Sequence, residues 1–308
     1  MRGRKKDNLK GLLFVGPTLL VLLVVYLYPL IQNVNYSLRN LGVEGRPFSG
    51  LRNYLLMFDD PIFLTSIRNN SLLIFLLVPL LVLLCLVFAL PLFERVHGWK
   101  FYRGTILLPY ITSITAVGLF FSLFFQGRGM LNTFLQMIGL GSLVVDWLGS
   151  TRFAMPAIMF VIVWREFGFG TMLFLARLTT VSEELFDAAK IDGASEAGIL
   201  VRIVLPLSTA VIATIALFHA VGQWNSYFNA LIYIRNKLYH PLQIYLRNYI
   251  TEDLTMDMYG GNLDTSTLST PEQMRAGIIV FATLPILLVY PFLQKYFVKG
   301  AMLGSVKG

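Results

Sequence analysis

The sequence predicts an all-α integral membrane protein with six transmembrane helices, and three observations carry that expectation. Hydrophobic residues fill 56% of the 308 positions and charged residues only 14%, with a mean hydropathy of +0.67. A soluble domain carries about 25% charged residues, so this chain lacks the polar surface to cover a soluble fold. The apolar residues are gathered into runs near the roughly 20 residues a helix needs to cross a bilayer. With the N-terminus taken as inner, the inner segments hold 14 of the 25 Lys and Arg residues, a modest bias carried mostly by the N-terminal tail.

The spans run roughly Leu12–Leu38, Ile67–Phe93, Gly104–Phe125, Ala154–Leu178, Ile203–Ile234 and Gly277–Phe297. Ahead of the first lies Arg2-Gly3-Arg4-Lys5-Lys6. The apolar run behind it is too long for a signal-peptide core and lacks a small-residue cleavage pattern, so it reads as a retained span with a cytoplasmic basic anchor. Pro17 and Pro29 predict kinks within it. An even span count puts both termini on one side, the cytoplasmic one, of a multi-pass protein.

Residues 1–11 are then an inner tail, 12–65 the first span with its outer loop, 66–298 a transmembrane core and 299–308 a second inner tail. The outer segments are the longer ones. Residues 126–153 include an amphipathic stretch, Met130–Ile138, and residues 235–275 include the turn-rich Gly260-Gly261-Asn262-Leu263-Asp264.

Composition also excludes functions. The net charge of +8 is scattered over tails and loops, which suits a lipid bilayer as partner and not nucleic acid. There is no Gly-x-x-x-x-Gly-Lys-Ser/Thr loop to cradle ATP phosphates and no Gly-x-Ser-x-Gly elbow. His97, His219 and His240 lack metal-ligand spacing, and the single Cys85 sits in an apolar run as a small buried hydrophobe. The chain is not expected to be an enzyme or to bind a cofactor. Its driving energy comes from another chain or from an ion gradient.

The most informative segment is the inner loop 181–202. Ser182 is placed to cap a helix, with Glu183 and Glu184 in its first turn where the dipole favours negative charge. Leu185, Ala188 and Ala189 share one face, with Phe186 at its edge. Gly193 ends the helix and a second one starts near Ser195. The polar face holds Glu183, Glu184, Asp187 and Asp192 against Lys190 alone. That charge suits an anionic lipid surface poorly and a groove on another protein better.

This loop resembles the coupling-loop signature of binding-protein-dependent ABC importers: Glu-Ala-Ala, three residues, Gly, nine residues, Ile, one residue, Leu-Pro. Here it reads Asp187-Ala188-Ala189, Gly193, Ile203-Val204-Leu205-Pro206, with Asp187 in place of Glu. Asp146-Trp147-Leu148-Gly149, Trp224-Asn225 and the C-terminal Leu293–Gly300 are similar to the carbohydrate-uptake, maltose-type branch. The resemblance implies a type I ABC importer permease fold with cytoplasmic coupling helices in a bacterial plasma (inner) membrane. It implies that Glu183, Glu184, Asp187, Ala188, Ala189, Asp192, Gly193, Ala194, Ile203, Leu205 and Pro206 serve coupling to the ATPase. It also implies the partners: an ATPase subunit dimer that binds ATP and Mg, a second permease chain making a heterodimer, and an extracytoplasmic sugar-binding protein.

Intramembrane polar groups mark a candidate pathway. Trp164-Arg165-Glu166 falls near the middle of span four, where a pathway role competes with a structural ion pair between spans. Adjacent residues are about 100° apart on a helix, so the two charges are not expected to share a partner face. Glu166, Gly170 and Leu173 follow one face, where glycine makes room beside the carboxylate. In span five, His219, Gln223, Trp224, Asn225, Tyr227, Phe228 and Asn229 combine amides with aromatic rings. That combination suits sugar hydroxyls and C–H faces, with an interfacial aromatic belt as the competing reading. Gln223, Trp224, Asn225, Tyr227 and Asn229 join Trp164, Arg165 and Glu166 as pathway candidates. The expected cargo is a sugar or oligosaccharide. An acidic saccharide or glycerophosphate-type anion is the alternative that Arg165 raises, and a gradient-driven transporter is the remote one.

Overall fold

The computed structural model describes residues 2–150, 152–233, 239–259 and 271–305, without side chains at both ends and at a few positions between. All regular elements among them are helical. They are α1 (Arg2–Val21), a π-helical stretch (Leu22–Leu27), α2 (Tyr28–Ser37), α3 (Arg52–Asp59), α4 (Pro61–Phe93), α5 (Trp99–Ile111), α6 (Ile114–Phe124), α7 (Met130–Met137) and α8 (Ala154–Leu178). The order continues through α9 (Glu183–Ile191), α10 (Glu196–Ile199), a second π-helical stretch (Leu200–Val204), α11 (Leu205–Leu207) and α12 (Thr209–Trp224). It closes with α13 (Phe228–Tyr233), α14 (Leu242–Tyr259) and α15 (Pro271–Ser305). The turn-rich stretch 260–264 lies outside the described residues.

Among the described residues, four helices are long and apolar enough to cross a membrane: Leu13–Ser37, Pro61–Phe93, Ala154–Leu178 and Glu272–Pro291. Two bent pairs bring the number to six if each is one span. The third and fifth expected spans each fall on one of these bent pairs. Trp99–Ile111 and Ile114–Phe124 meet at 92°, and Leu200–Leu207 meets Thr209–Trp224 at 65°. The first bend has a local cause. Pro109 cannot donate a backbone hydrogen bond, and Thr112 and Ser113 leave the helix for extended backbone with ψ near 142° and 130°. The second falls at Ser208, just after Pro206. In the first span the irregularity is the π-helical stretch between Pro17 and Pro29.

The chain forms two compact units, Met1–Leu64 with Tyr245–Pro285, and Thr65–Ile244 with Ile286–Gly308. In the first, buried Asn53 donates to the carbonyls of Ser37 and Arg39, both at 2.8 Å. Leu41 N–H donates to Gln273 at 2.9 Å, and Phe58, Phe63, Phe281 and Tyr245 form an aromatic cluster.

The second unit is organised along α8. Its N-terminal half (Ala157, Ile158, Val161, Ile162) packs with Leu77 and Leu81 of α4, Val117 and Phe121 of α6, and Tyr233 of α13. Its C-terminal half (Phe174, Leu178) packs with Cys85, Leu86 and Ala89 of α4, Ile215 of α12, and Ile199 and Val204. Glycines allow the approach. A Cβ on Gly168 would overlap the carbonyl oxygen of Ile106 in α5, and one on Gly170 would overlap the Cys85 sulfur. Gly170 therefore makes room for α4, not for the Glu166 carboxylate as the helical periodicity suggested.

Gly168→Ala forces the α5 backbone away and is expected to cost about 1–3 kcal/mol, read as a lowered thermal midpoint in detergent. A Cβ on Gly104, in the same α5, would meet nothing within 4 Å, and Gly104→Ala is expected to leave the midpoint unchanged or raise it. Equal midpoints would contradict this packing.

Candidate functional site

Between the two packed regions of α8 lie Arg165 and Glu166. Their side chains, each 21% exposed, form an ion pair within one helix. The 100° offset is overcome by the reach of the two side chains, and the pair joins neighbours on one helix instead of bridging two spans. The guanidinium carbon lies 5.8 Å from the Tyr110 ring centroid, and Tyr110 stacks on Phe169 at 4.8 Å.

The pair opens onto a chamber of about 240 Å³ lined by Ile114, Arg165, Glu166, Phe218, His219, Gly222, Gln223, Asn225, Ser226, Tyr227 and Phe228. Five of the eight pathway candidates meet there: Arg165, Glu166, Gln223, Asn225 and Tyr227. Trp164 is not among the lining residues and packs edge-on against Phe121 at 5.2 Å. Trp224 also lies off the lining, its carbonyl accepting from Asn70 at 3.3 Å. The Asn229 side chain lies outside the described ones.

His219 and Gln223, both 6% exposed, stand four residues apart on α12, one turn above the other. His219 Nε2, Gln223 Oε1 and Arg165 Nε are buried with no hydrogen-bond partner. A buried polar atom left unpaired costs about 1–3 kcal/mol, and three such atoms belong to side chains that line this chamber. Ile114, Phe218, His219, Gly222, Ser226 and Phe228 complete the lining, and of these Ile114, Phe218, Gly222 and Ser226 were not singled out in the sequence. The spacing of Gly222 and Ser226, four apart like His219 and Gln223, was the available signal for that pair.

The second candidate region is the loop 181–202. Helix α9 starts at Glu183 as expected, but the Ser182 hydroxyl makes no capping bond. The other end is closed tightly. Gly193 N–H donates to Lys190 at 3.0 Å, Ala194 N–H donates to Ala189 at 2.9 Å, and Gly193 has φ +77°. These are the two bonds of a Schellman turn. Ser195 then caps α10, its hydroxyl accepting from Gly198 N–H at 3.2 Å.

The apolar face of α9 is divided. Phe186 and Ala189 turn inward onto the core around Phe174 and Leu178, with Phe186 against Phe93 at 5.4 Å. Leu185 and Ala188 are exposed, and Ile191 is 85% exposed, so an outward apolar stripe runs at i, i+3 and i+6. Glu184, Asp187, Lys190, Asp192 and Gly193 are also exposed. Ala194, Ile203 and Leu205 pack on the core, while Pro206 is exposed; the Glu183 side chain lies outside the described ones. Among the described residues, no group of three His, Cys, Asp or Glu side chains could hold a metal ion.

Residues 63–302 match the family described as "Binding-protein-dependent transport system inner membrane component". The chain is 44% identical to Protein LplC of Bacillus subtilis (strain 168) over 191 residues, which cover 61% of this chain and 59% of that relative. It is 36% identical over 222 residues to the polygalacturonan/rhamnogalacturonan transport system permease protein YtcP of the same organism, covering 67% of this chain and 73% of that one. Its fold is similar to a chain in the crystal structure of a bacterial alginate ABC transporter in complex with alginate pentasaccharide-bound periplasmic protein. There the TM-score is 0.72 at 19% identity, over 95% of this chain and 94% of that chain.

Gly193→Ala puts a side chain into left-handed backbone at a cost of about 1–2 kcal/mol. Amide exchange in the last turn of α9 should quicken by a factor of about 5–30 while α8 is unchanged. Unaltered exchange at Gly193 and Ala194 would contradict the role given to the turn.

Proposed function

We propose, from the premise that the chain belongs to the family of binding-protein-dependent transport system inner membrane components, that it is the permease subunit of an ATP-driven saccharide importer. It forms part of the pathway for solute and takes its energy from a separate ATPase. The observation that carries the reading is the two-sided helix α9. Phe186 and Ala189 anchor it to the ends of α4 and α8, and Leu185, Ala188 and Ile191 face outward among Glu184, Asp187 and Asp192.

A helix of nine residues is marginal alone. Clamped on one side and unpartnered on the other, it can pass a displacement of an attached ATPase directly into α8. The coupling set from Glu183 to Pro206 then divides its work. The exposed members face the ATPase, while Ala189, Ala194, Ile203 and Leu205 join the loop to the core. The assembly we envisage holds an ATPase dimer, a second and different permease chain, and an extracytoplasmic binding protein. It sits in the bacterial inner membrane with both termini cytoplasmic.

The cargo reading is a sugar or oligosaccharide. The chamber offers amide, imidazole and guanidinium groups beside the rings of Tyr227 and Phe228, the pairing that saccharide hydroxyls and C–H faces need. The printed name of YtcP, a polygalacturonan/rhamnogalacturonan transport system permease protein, agrees with a saccharide cargo and does not fix its charge. A gradient-driven mechanism has less support, since Glu166, the carboxylate in the chamber, is engaged by Arg165.

Leu185→Glu and Ala188→Glu change only the outward stripe, whereas Ala189→Glu also disturbs internal packing. In the assembled complex the two outward variants should insert normally and lose co-purifying ATPase by about tenfold or more, the loss expected from burying one unpaired charge at an interface. Undiminished ATPase association in both would contradict the coupling role.

A further inference from the structure

We propose that Glu166 sets the charge class of the cargo: by neutralising Arg165 it makes the chamber a site for uncharged saccharide rings and turns away uronates and other anions. The inference rests on the pathway reading above and deepens it.

Arg165 taken alone would recommend an anionic cargo. In the chamber it is not alone. Arg165 and Glu166 are the only guanidinium and carboxylate side chains of the lining, and they are paired with each other. Glu166 takes Nη1 of the guanidinium and so closes its end-on fork, and burial of Nε closes the side-on fork with Nη2, so a cargo carboxylate finds no two-pronged site. The Tyr110 ring at 5.8 Å lies against the guanidinium carbon.

What remains for a solute is the accessible polar lining, the Asn225 amide and the Ser226 and Tyr227 hydroxyls, which between them donate and accept. A sugar hydroxyl both donates and accepts, so a ring of hydroxyls can satisfy all three. A carboxylate only accepts. It would leave the Asn225 amide oxygen unmatched and stand beside the Glu166 charge with no unpaired guanidinium or ammonium group in the lining to offset it. The volume, about 240 Å³, falls below the range for drug-sized ligands, about 300–1,000 Å³, and suits a single ring. The rings of Phe218, Tyr227 and Phe228 border it.

The test uses the assembled transporter in nanodiscs and saturation-transfer NMR, which detects weak contacts. The probes are glucose with glucuronate, and galactose with galacturonate, each pair differing at C6 alone. In the wild type the neutral member of a pair should be contacted more than its uronate by about 10- to 100-fold, the span of a charge-assisted hydrogen bond. Glu166→Gln frees Arg165 and should reverse the preference. Because that change leaves a buried guanidinium unpaired, the double variant Arg165→Gln/Glu166→Gln is measured beside it. With both charges gone, it should return to favouring the neutral sugars.

A wild type that favours uronates, or a ratio unmoved by Glu166→Gln, overturns the charge rule. Gly222, which lines the chamber with open space before it, separates the two levels of the argument. Gly222→Trp fills the chamber and should abolish contact with every probe. Contacts that survive Gly222→Trp come from another surface and overturn the pathway reading instead. Absence of contact with all four probes in the wild type counts against both.

Discussion

The second unit is arranged around a charged pair that a membrane-spanning helix has to carry. Moving a charge out of water costs several kcal/mol even after relaxation, and only a close opposite charge with further hydrogen bonds offsets it. Arg165 and Glu166 supply each other's opposite charge within one helix, with Arg165 Nε left unpartnered, so no second span has to supply a counter-charge. Helix α8 is consequently free to use its remaining surface for packing. Its two halves are embedded in separate clusters, with Gly168 and Gly170 admitting α5 and α4 at close range. The chamber is what remains where the packing gives way to the pair.

The same helix joins the chamber to the inner loop. Its C-terminal residues Phe174 and Leu178 lie in the cluster on which Phe186, Ala189 and Ala194 rest. Arg177 ties the end of α8 to the next segment, donating to the Leu207 carbonyl at 3.1 and 3.0 Å. A push on the outward stripe of α9 therefore meets packed side chains and hydrogen bonds, not a loose loop. Interiors packed at this density move as bodies, and α8 is the body that reaches the chamber.

Much of this was legible in the sequence, and the parts that were not share a physical reason. Span positions follow from apolar length, and the inner loop follows from a two-part motif whose Gly193 takes the left-handed turn expected of it. Local signals fared worse where distant contacts decide. Pro109 and Ser208 mark the two bends, but a hydropathy run does not report the angles of 92° and 65°. Gly170 shares a face with Glu166 on a helical wheel, yet what it accommodates is Cys85, far earlier in the chain. Phe186 at the edge of an apolar face turned out to be its inner anchor. The aromatic and amide residues of span five divided likewise. Gln223, Asn225 and Tyr227 turn to the chamber, and Trp224 does not.

The central claim is that the chamber lies on a solute path whose access is governed through α9. A cysteine at Gly222 tests it most directly, because that position faces open space and the native Cys85 is fully buried and serves as the unreactive background. In the assembled transporter, Gly222→Cys should react with a polar, membrane-impermeant maleimide, and the side from which it reacts should switch when the ATPase is trapped in its ATP-bound state. A cysteine that never reacts, or that reacts identically whatever the ATPase holds, would contradict the account.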